Sequence, residues 1–310
     1  MTSIRRIGRR YLGKCYWLLR GVLETLKAAV IKLTRTVRSR LLLAKFPLKK
    51  EFLILNNASY TPGLFSEFTA ILGLLDHREN WKELYAGLKV DFEKQGLYYE
   101  PAVGNNWWEY YFEPIDIGTR ENATEKIIST EQHVMFSVDA AGTMSRKRGF
   151  ELINKYVRVK SHIRDKVESF IQDNFGDTFV IGIHYRGTDK KEEAPRVPYE
   201  EVFAAVCDAI NVINTDRYKL FLATDEQAFL NYMLNRFPDN LTYYEASRSL
   251  DEKPVHARNR NNHRKGEEAV IDCVLLSRCN YLVRTASNLS LCSTLFNPLL
   301  PEIILNSEYK

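Results

Sequence analysis

At 310 residues, 45% of them hydrophobic, the chain is long enough for two ordinary domains, each with its own core. This composition excludes a disordered, collagen-like or disulfide-dense chain. The five cysteines are odd in number, and no two are spaced Cys-x-x-Cys, which favours a reducing compartment and leaves no zinc motif.

The net charge of +5 is unevenly distributed: residues 1–50 hold 14 Lys or Arg against one acid, Glu24, and the rest of the chain is net acidic. Apolar side chains recur in this segment at Ile4, Ile7, Tyr11, Cys15, Leu18, Val22, Leu26, Ala29, Leu33, Val37 and Leu41, with Arg5, Arg6, Arg9 and Arg10 off that stripe. Steps of three and four predict a basic amphipathic helix over 1–45. Its uncharged runs of about five residues fall short of the roughly 18 that span a bilayer, and a secretory signal would be unbroken. An anionic membrane surface is the leading partner. A partner helix, a solvated extension and an organelle-targeting presequence are the alternatives. Nucleic acid fits poorly, because no recognition motif accompanies the charge. The expected location is cytoplasmic, peripheral at a membrane, with the Golgi or another organelle as the eukaryotic alternative.

Glu51 to Asn57 reads as a short buried strand. Tyr60-Thr-Pro62-Gly63 then turns into a helix carrying Phe68, Ile71, Leu72, Leu74 and Leu75. This looks like a first βα unit, whose Ser66 and Glu67 would face a cleft. A capping serine beside an acid that complements the helix dipole, and a catalytic role for Glu67, both stay open. Trp81 to Phe92 is expected to hold a helix and a strand. Asn105 to Pro114 is rich in aromatics; rings can stack on sugars, but a place in the core is favoured. Gly149 to Phe170 has helical periodicity and leads to a boundary near Asp173-Asn-Phe-Gly176-Asp. The expected division is an extension over 1–50, a first Rossmann-like domain over 51–172, and a second domain over 173–310.

The second half alternates strands (178–184, 218–224, 241–244, 281–284) with helices (199–213, 226–236, 267–279, 288–296), which argues for α/β architecture around a parallel sheet. Its first strand ends at His184-Tyr-Arg186-Gly187-Thr188-Asp189-Lys190. Ligands bind beyond the carboxyl ends of such strands. An arginine fork beside a lysine point charge suits a phosphate or pyrophosphate. A solvated strand end with self-paired charges is the plainer alternative. Asp225 and Ser287 follow other strand ends on the same edge. Ser287, Asn288 and Ser290 open the last helix, where N–H groups and hydroxyls seat a phosphate. Glu245 to Glu268 reads as one long polar loop holding Arg248, Lys253, His256, Arg258, Arg260, His263, Arg264 and Lys265, either a cationic lid or merely solvated.

The run from His184 to Lys190 resembles the His-x-Arg-Arg-Thr-Asp-Lys motif of the GDP-fucose-dependent fucosyltransferases. That superfamily includes the rhizobial nodulation enzymes, the α1,6-fucosyltransferases and the protein O-fucosyltransferases. Leu220-Phe-Leu-Ala-Thr-Asp225-Glu226 resembles its strand ending in Ala-Thr-Asp-Asp. Ile271-Asp272, Leu275-Leu-Ser277, Tyr281-Leu-Val and Thr285-Ala-Ser287-Asn288 resemble its Leu-Asp…Phe-Leu-Ser…Thr-x-Ser-Ser block. Three blocks in order are more specific than any one of them.

The resemblance implies a GT-B-like α/β fold, two Rossmann-like domains facing a cleft. It implies an inverting transfer of fucose from GDP-fucose to a glycan or glycoconjugate hydroxyl, with no cofactor and no metal. It places Arg186 on the donor diphosphate with Lys190 assisting, and Asp272 and His184 on the guanine base. Asp189 is expected to orient the arginine loop, and Asp225 to cap the next helix or touch the donor. Thr285, Ser287, Asn288 and Ser290 line the same donor site. Glu67 is the candidate general base from the first domain. Among the departures from the motifs, Gly187 replaces the second arginine and Asn288 the second serine. Another nucleotide sugar therefore stays open, as does a catalytically silent nucleotide-sugar-binding protein that docks on membranes.

Overall fold

The computed structural model describes residues 49–56, 63–94, 96–129, 144–187, 195–213, 217–250 and 261–306. The basic helix expected over 1–45 lies outside these residues, as do Thr188, Asp189, Lys190, Lys253, His256, Arg258 and Arg260. No helix among the described residues is long and apolar enough to cross a membrane.

Strand β1 (Lys50–Leu55) is followed by helix α1 (Leu64–Asn80) and strand β2 (Tyr85–Val90), which runs parallel to β1. Residues 81–84 form a turn, so the helix expected between Trp81 and β2 is absent. α1 buries Leu64, Phe65, Phe68, Ile71, Leu72, Leu74 and Leu75, more than one stripe, because apolar neighbours surround it. Helix α2 (Trp108–Tyr111) and strands β3 (Asp116–Gly118) and β4 (Ala123–Ile128) complete this part. The sheet order is β3-β2-β1-β4, with β3 antiparallel to β2, so the smaller sheet is mixed.

The aromatic segment around α2 is core. Trp107 and Trp108 are 1% exposed, Tyr111 and Phe112 are fully buried, and Trp108 stacks on Phe112 at 4.3 Å. Burial of each ring system contributes, as an upper bound, about 4–6 kcal/mol.

The helix expected from Gly149 to Phe170 is two helices, α3 (Arg146–Tyr156) and α4 (Ser161–Asn174). Between them the chain extends to pair with the aromatic segment. Glu113 N–H donates to Arg158 O at 2.7 Å and Lys160 N–H to Tyr111 O at 2.8 Å, while Val159 bridges Phe112. Val157 and Val159 suit that extended stretch. α3 and nearly all of α4 precede the boundary expected near residue 173, and they pack on helices of the larger sheet: α3 on α8 (Asn288–Phe296), α4 on α7 (Asn262–Ser277).

The larger sheet holds β5 (Phe179–Tyr185), β6 (Tyr218–Thr224), β7 (Leu241–Thr242), β8 (Tyr281–Arg284) and β9 (Glu302–Ile304), in the order β7-β6-β5-β8-β9 and all parallel. Helices α5 (Tyr199–Ile213) and α6 (Gln227–Leu234) cover one face, over Ile181, Ile183 and Tyr185. On the other face, Val180, Phe221 and Leu282 join a core that continues through α7 and α8 to Leu53 and Leu88 of the smaller sheet.

The loop expected over Glu245 to Glu268 ends earlier, because α7 begins at Asn262. Its first turn is tied down by polar contacts rather than an apolar stripe. Asn262 N–H donates to the Glu100 carboxylate at 3.2 Å, and the Tyr111 hydroxyl donates to His263 O at 2.9 Å. That is why its sequence reads as loop.

Candidate donor-binding site

The chain leaves β5, builds β6 and β7 on one side of it, then returns to build β8 on the other. The order reverses between β5 and β8. In an open parallel sheet that reversal opens a crevice beyond the carboxyl ends of the two strands. His184 and Arg186 stand at that end of β5, and Thr285, Ser287, Asn288 and Ser290 follow β8.

The two loops are bonded to each other. Thr285 N–H donates to His184 O at 3.0 Å, and Arg186 N–H donates to Thr285 Oγ1 at 3.0 Å. On the other flank Gly187 N–H donates to Asp225 Oδ1 at 3.3 Å, so Asp225 holds the arginine loop through a backbone contact. Arg186 is half-buried at the centre of this arrangement.

Ser287 caps α8, its hydroxyl accepting from Leu289 N–H at 3.3 Å. Ser290 is fully buried and donates to Thr285 O and Ser287 O, at 3.1 and 3.2 Å, so it shapes the loop from beneath. Asn288 Oδ1 is buried and has no hydrogen-bond partner among the described residues. The first turn of a helix carries N–H groups with no intrahelical acceptor and a partial positive charge, which favours an anion.

Register brings Asp272 and His184 to the same end of the sheet. Residues 180, 182 and 184 of β5 face α7, since side chains alternate along a strand. Gly182 is the point of closest approach: a Cβ there would lie 2.9 Å from Cys279 Sγ and 3.2 Å from Leu276, which explains a glycine in mid-strand. Asp272 lies one turn before Leu276, about 6 Å along the helix. His184 lies two residues beyond Gly182, about 6.6 Å along the strand. Because α7 runs antiparallel to β5, both steps lead to the crevice. Asp272 is 8% exposed, and its Oδ1 has no hydrogen-bond partner among the described residues. Burial raises its pKa to about 7, against the pull of Arg248, with Glu268 adding to the rise. A buried acceptor of that kind suits a ligand presenting adjacent N–H donors.

Arg248 is fixed nearby: it donates to Tyr244 O at 2.7 Å and Ala246 O at 3.1 Å, and lies over the Tyr243 ring. Glu67, on the first turn of α1, has no exposed surface, and its amide is bonded to Gly63 O. The larger sheet thus gathers His184, Arg186, Asp225, Asp272, Thr285, Ser287, Asn288 and Ser290, while Glu67 belongs to the smaller one.

Sequence reasoning missed Glu226 and Arg196. The Glu226 carboxylate is buried beside Gly187 and accepts from Arg196 Nη2 at 2.8 Å and the Tyr199 hydroxyl at 2.6 Å. Only the charge of Glu226 directly after a strand end signalled it; Arg196 belongs to no periodic pattern.

Comparison with known proteins identifies the family of the chain and its fold. A family model described as nodulation protein Z (NodZ) matches residues 88–308. Nodulation protein Z of Sinorhizobium fredii is 25% identical over 136 residues, 41% of this chain and 42% of that protein. Its namesake in Bradyrhizobium diazoefficiens is 23% identical over 164 residues, 50% of this chain and 44% of that protein. The matched region thus spans less than half of either relative. Among solved structures, NodZ α1,6-fucosyltransferase soaked with GDP-fucose aligns with a TM-score of 0.56 at 16% identity, over 80% of this chain and 94% of that one. Fucosyltransferase NodZ from Bradyrhizobium aligns with a TM-score of 0.54 at 16% identity, over 83% and 96%. These two alignments show a shared fold.

Proposed function

This chain belongs to the nodulation protein Z family, and on that premise we propose that it transfers fucose from GDP-fucose to a glycan or glycoconjugate hydroxyl. The observation that supports the reading is the strand-order reversal between β5 and β8, with Arg186 and the start of α8 just beyond those strands and the buried Asp272 acceptor on α7. A nucleoside diphosphate needs both: cations and N–H groups for its phosphates, and a carboxylate for the N1–H and exocyclic amine of guanine. The two-lobed GT-B arrangement, with the acceptor on the side of the smaller sheet, is part of the same proposal.

Departure of GDP concentrates negative charge on the β-phosphate oxygen. Arg186 and the N–H groups of α8 stabilise that charge, and fixed groups in a water-poor site do so without reorganising. Transfer is proposed to invert the sugar and to need no metal. Lys190 is proposed to assist Arg186, and Asp189 to orient its loop. Glu67 is proposed as the base that takes the acceptor proton; being fully buried, it reaches a hydroxyl only when the start of α1 opens.

Gly187 favours one alternative, a different GDP-sugar as donor. Thermal shift with GDP, GDP-fucose, other GDP-sugars, UDP and UDP-sugars separates these readings. Stabilisation by GDP and GDP-fucose, followed by EDTA-resistant sugar transfer, supports the proposal; preference for UDP compounds defeats it. The basic segment 1–45 is proposed to hold the enzyme at a cytoplasmic anionic membrane surface. Co-sedimentation with anionic but not neutral vesicles tests that part.

A further inference from the structure

Gly187 occupies the place where the motif has a second arginine, and the structure gives a reason. A Cβ built there would lie 1.9 Å from Glu226 Oε2 and 2.8 Å from the Tyr185 ring. Glu226 is buried, and no side chain fits at 187 while its carboxylate keeps this position. The motif's aspartate after Asp225 is here the longer Glu226, and its motif arginine is here glycine. The two departures belong together: the extra methylene of Glu226 fills the space that Gly187 vacates.

What the carboxylate does there is hold another arginine. Arg196 Nη2 donates to Glu226 Oε1 at 2.8 Å, Arg196 Nε to the Tyr185 hydroxyl at 3.4 Å, and the guanidinium lies over the Tyr199 ring. Tyr199 donates to the same carboxylate oxygen at 2.6 Å. Tyr185 is itself fixed, its ring packed at a tilt against Phe229 with centroids 4.1 Å apart and its hydroxyl donating to Val197 O at 3.0 Å. The Arg196 side chain is 34% exposed and is held by Glu226, which lies just beyond the carboxyl end of β6. A guanidinium carries five donors in a fixed fork.

We propose that Arg196 supplies the second cation for the donor diphosphate, positioned by Glu226 in room that Gly187 leaves open. Arg196 is the ligand contact and Glu226 the positioning residue. The inference rests on the reading of this crevice as a GDP site.

The test measures affinity for GDP and for guanosine, which lacks phosphates, by titration calorimetry on the full chain. Arg196→Ala is expected to weaken GDP by about tenfold to a hundredfold, the range for a lost charged hydrogen bond, and to leave guanosine within twofold. Glu226→Ala should weaken GDP similarly, and Arg196→Ala/Glu226→Ala should be no worse than Arg196→Ala alone, since the two act as one unit. With Glu226 removed, Gly187→Arg in that double variant should recover GDP affinity. GDP affinity unchanged by Arg196→Ala, additive losses, a parallel loss of guanosine or no recovery with Gly187→Arg would each overturn the inference. A wild-type chain that binds guanosine and GDP poorly alike overturns the functional reading itself, and this inference with it.

Discussion

The hydroxyl of Thr285 accepts the backbone N–H of Arg186 at 3.0 Å, while the Thr285 amide donates to His184 O at the same distance. This reciprocal tie joins the ends of β5 and β8 at the place where strand order reverses. It fixes the direction in which the chain carries Arg186 out of the sheet. Thr285 is 1% exposed, so the tie is also shielded from water.

Thr285→Val keeps the shape and removes the acceptor, leaving a buried N–H unsatisfied at a cost of about 1–3 kcal/mol. GDP affinity should fall about tenfold and the melting temperature should drop, while Thr285→Ser retains both. Calorimetric titration of the two variants checks this. Equal losses in Thr285→Val and Thr285→Ser would point to packing instead.

Arg186→Ala should lower kcat by about a hundredfold or more with the fold intact, because the interaction is made to charge that grows in the transition state. Arg186→Lys should recover only part of the loss, since a point charge cannot replace a planar fork. The check is initial-rate kinetics beside a circular-dichroism melt.

If Asp272 holds the guanine base as proposed, the burial that raises its pKa to about 7 links that recognition to a proton. The ionised carboxylate is the form that accepts N–H donors, so binding GDP expels a proton. GDP affinity should therefore rise with pH up to about 7, by roughly tenfold per unit on the acid side, and level off above. For the unliganded fold the sign is opposite: a carboxyl whose folded pKa is raised favours the folded state at low pH, and that advantage is lost as pH climbs from about 4 to 7. Asp272→Asn should flatten both profiles. Titrations in buffers of different ionisation enthalpy detect the proton directly.

Glu79 behaves the other way. Burial pushes it up, but hydrogen bonds from Lys155, Tyr156 and Arg148 outweigh that and hold it at about 2. Together with Asp76, which accepts from Arg148 Nε at 2.7 Å, it pins α3 to α1. Its contribution is complete above about pH 4.5 and disappears as pH falls toward 2. Glu79→Gln should lower stability by about 1–3 kcal/mol at pH 7, and the gap should close in acid. Denaturant melts at pH 7, 4 and 3 measure it.

Glu67→Gln separates a base from a buried structural acid. If Glu67 takes the acceptor proton, kcat falls at least a hundredfold and GDP affinity is unchanged. A variant with normal kcat and a lower melting temperature removes Glu67 from the reaction.

The larger sheet was legible in the sequence because its strands are buried on both faces and end in charged clusters. Residues 179–185, 218–224 and 281–284 read as apolar runs, and His184, Asp225 and Ser287 mark their ends. The break at Val157–Lys160 was not legible, because what interrupts the helix is pairing with Tyr111 and Glu113, far away in sequence. The start of α7 was hidden for a related reason. Lys265, Glu267 and Glu268 are buried there against polar partners, so no apolar stripe marks the turn. The meaning of Gly187 needed coordinates too: the group that excludes a side chain, Glu226, comes from another strand end.

The central claim is that Arg186 meets a nucleotide diphosphate at the β5–β8 crevice. A crystal structure of the chain with GDP tests it most directly. The account predicts the Arg186 guanidinium on the phosphate oxygens and the Asp272 carboxylate on the guanine N1–H and amine. GDP bound elsewhere, or bound here with Arg186 turned away from it, would contradict the account.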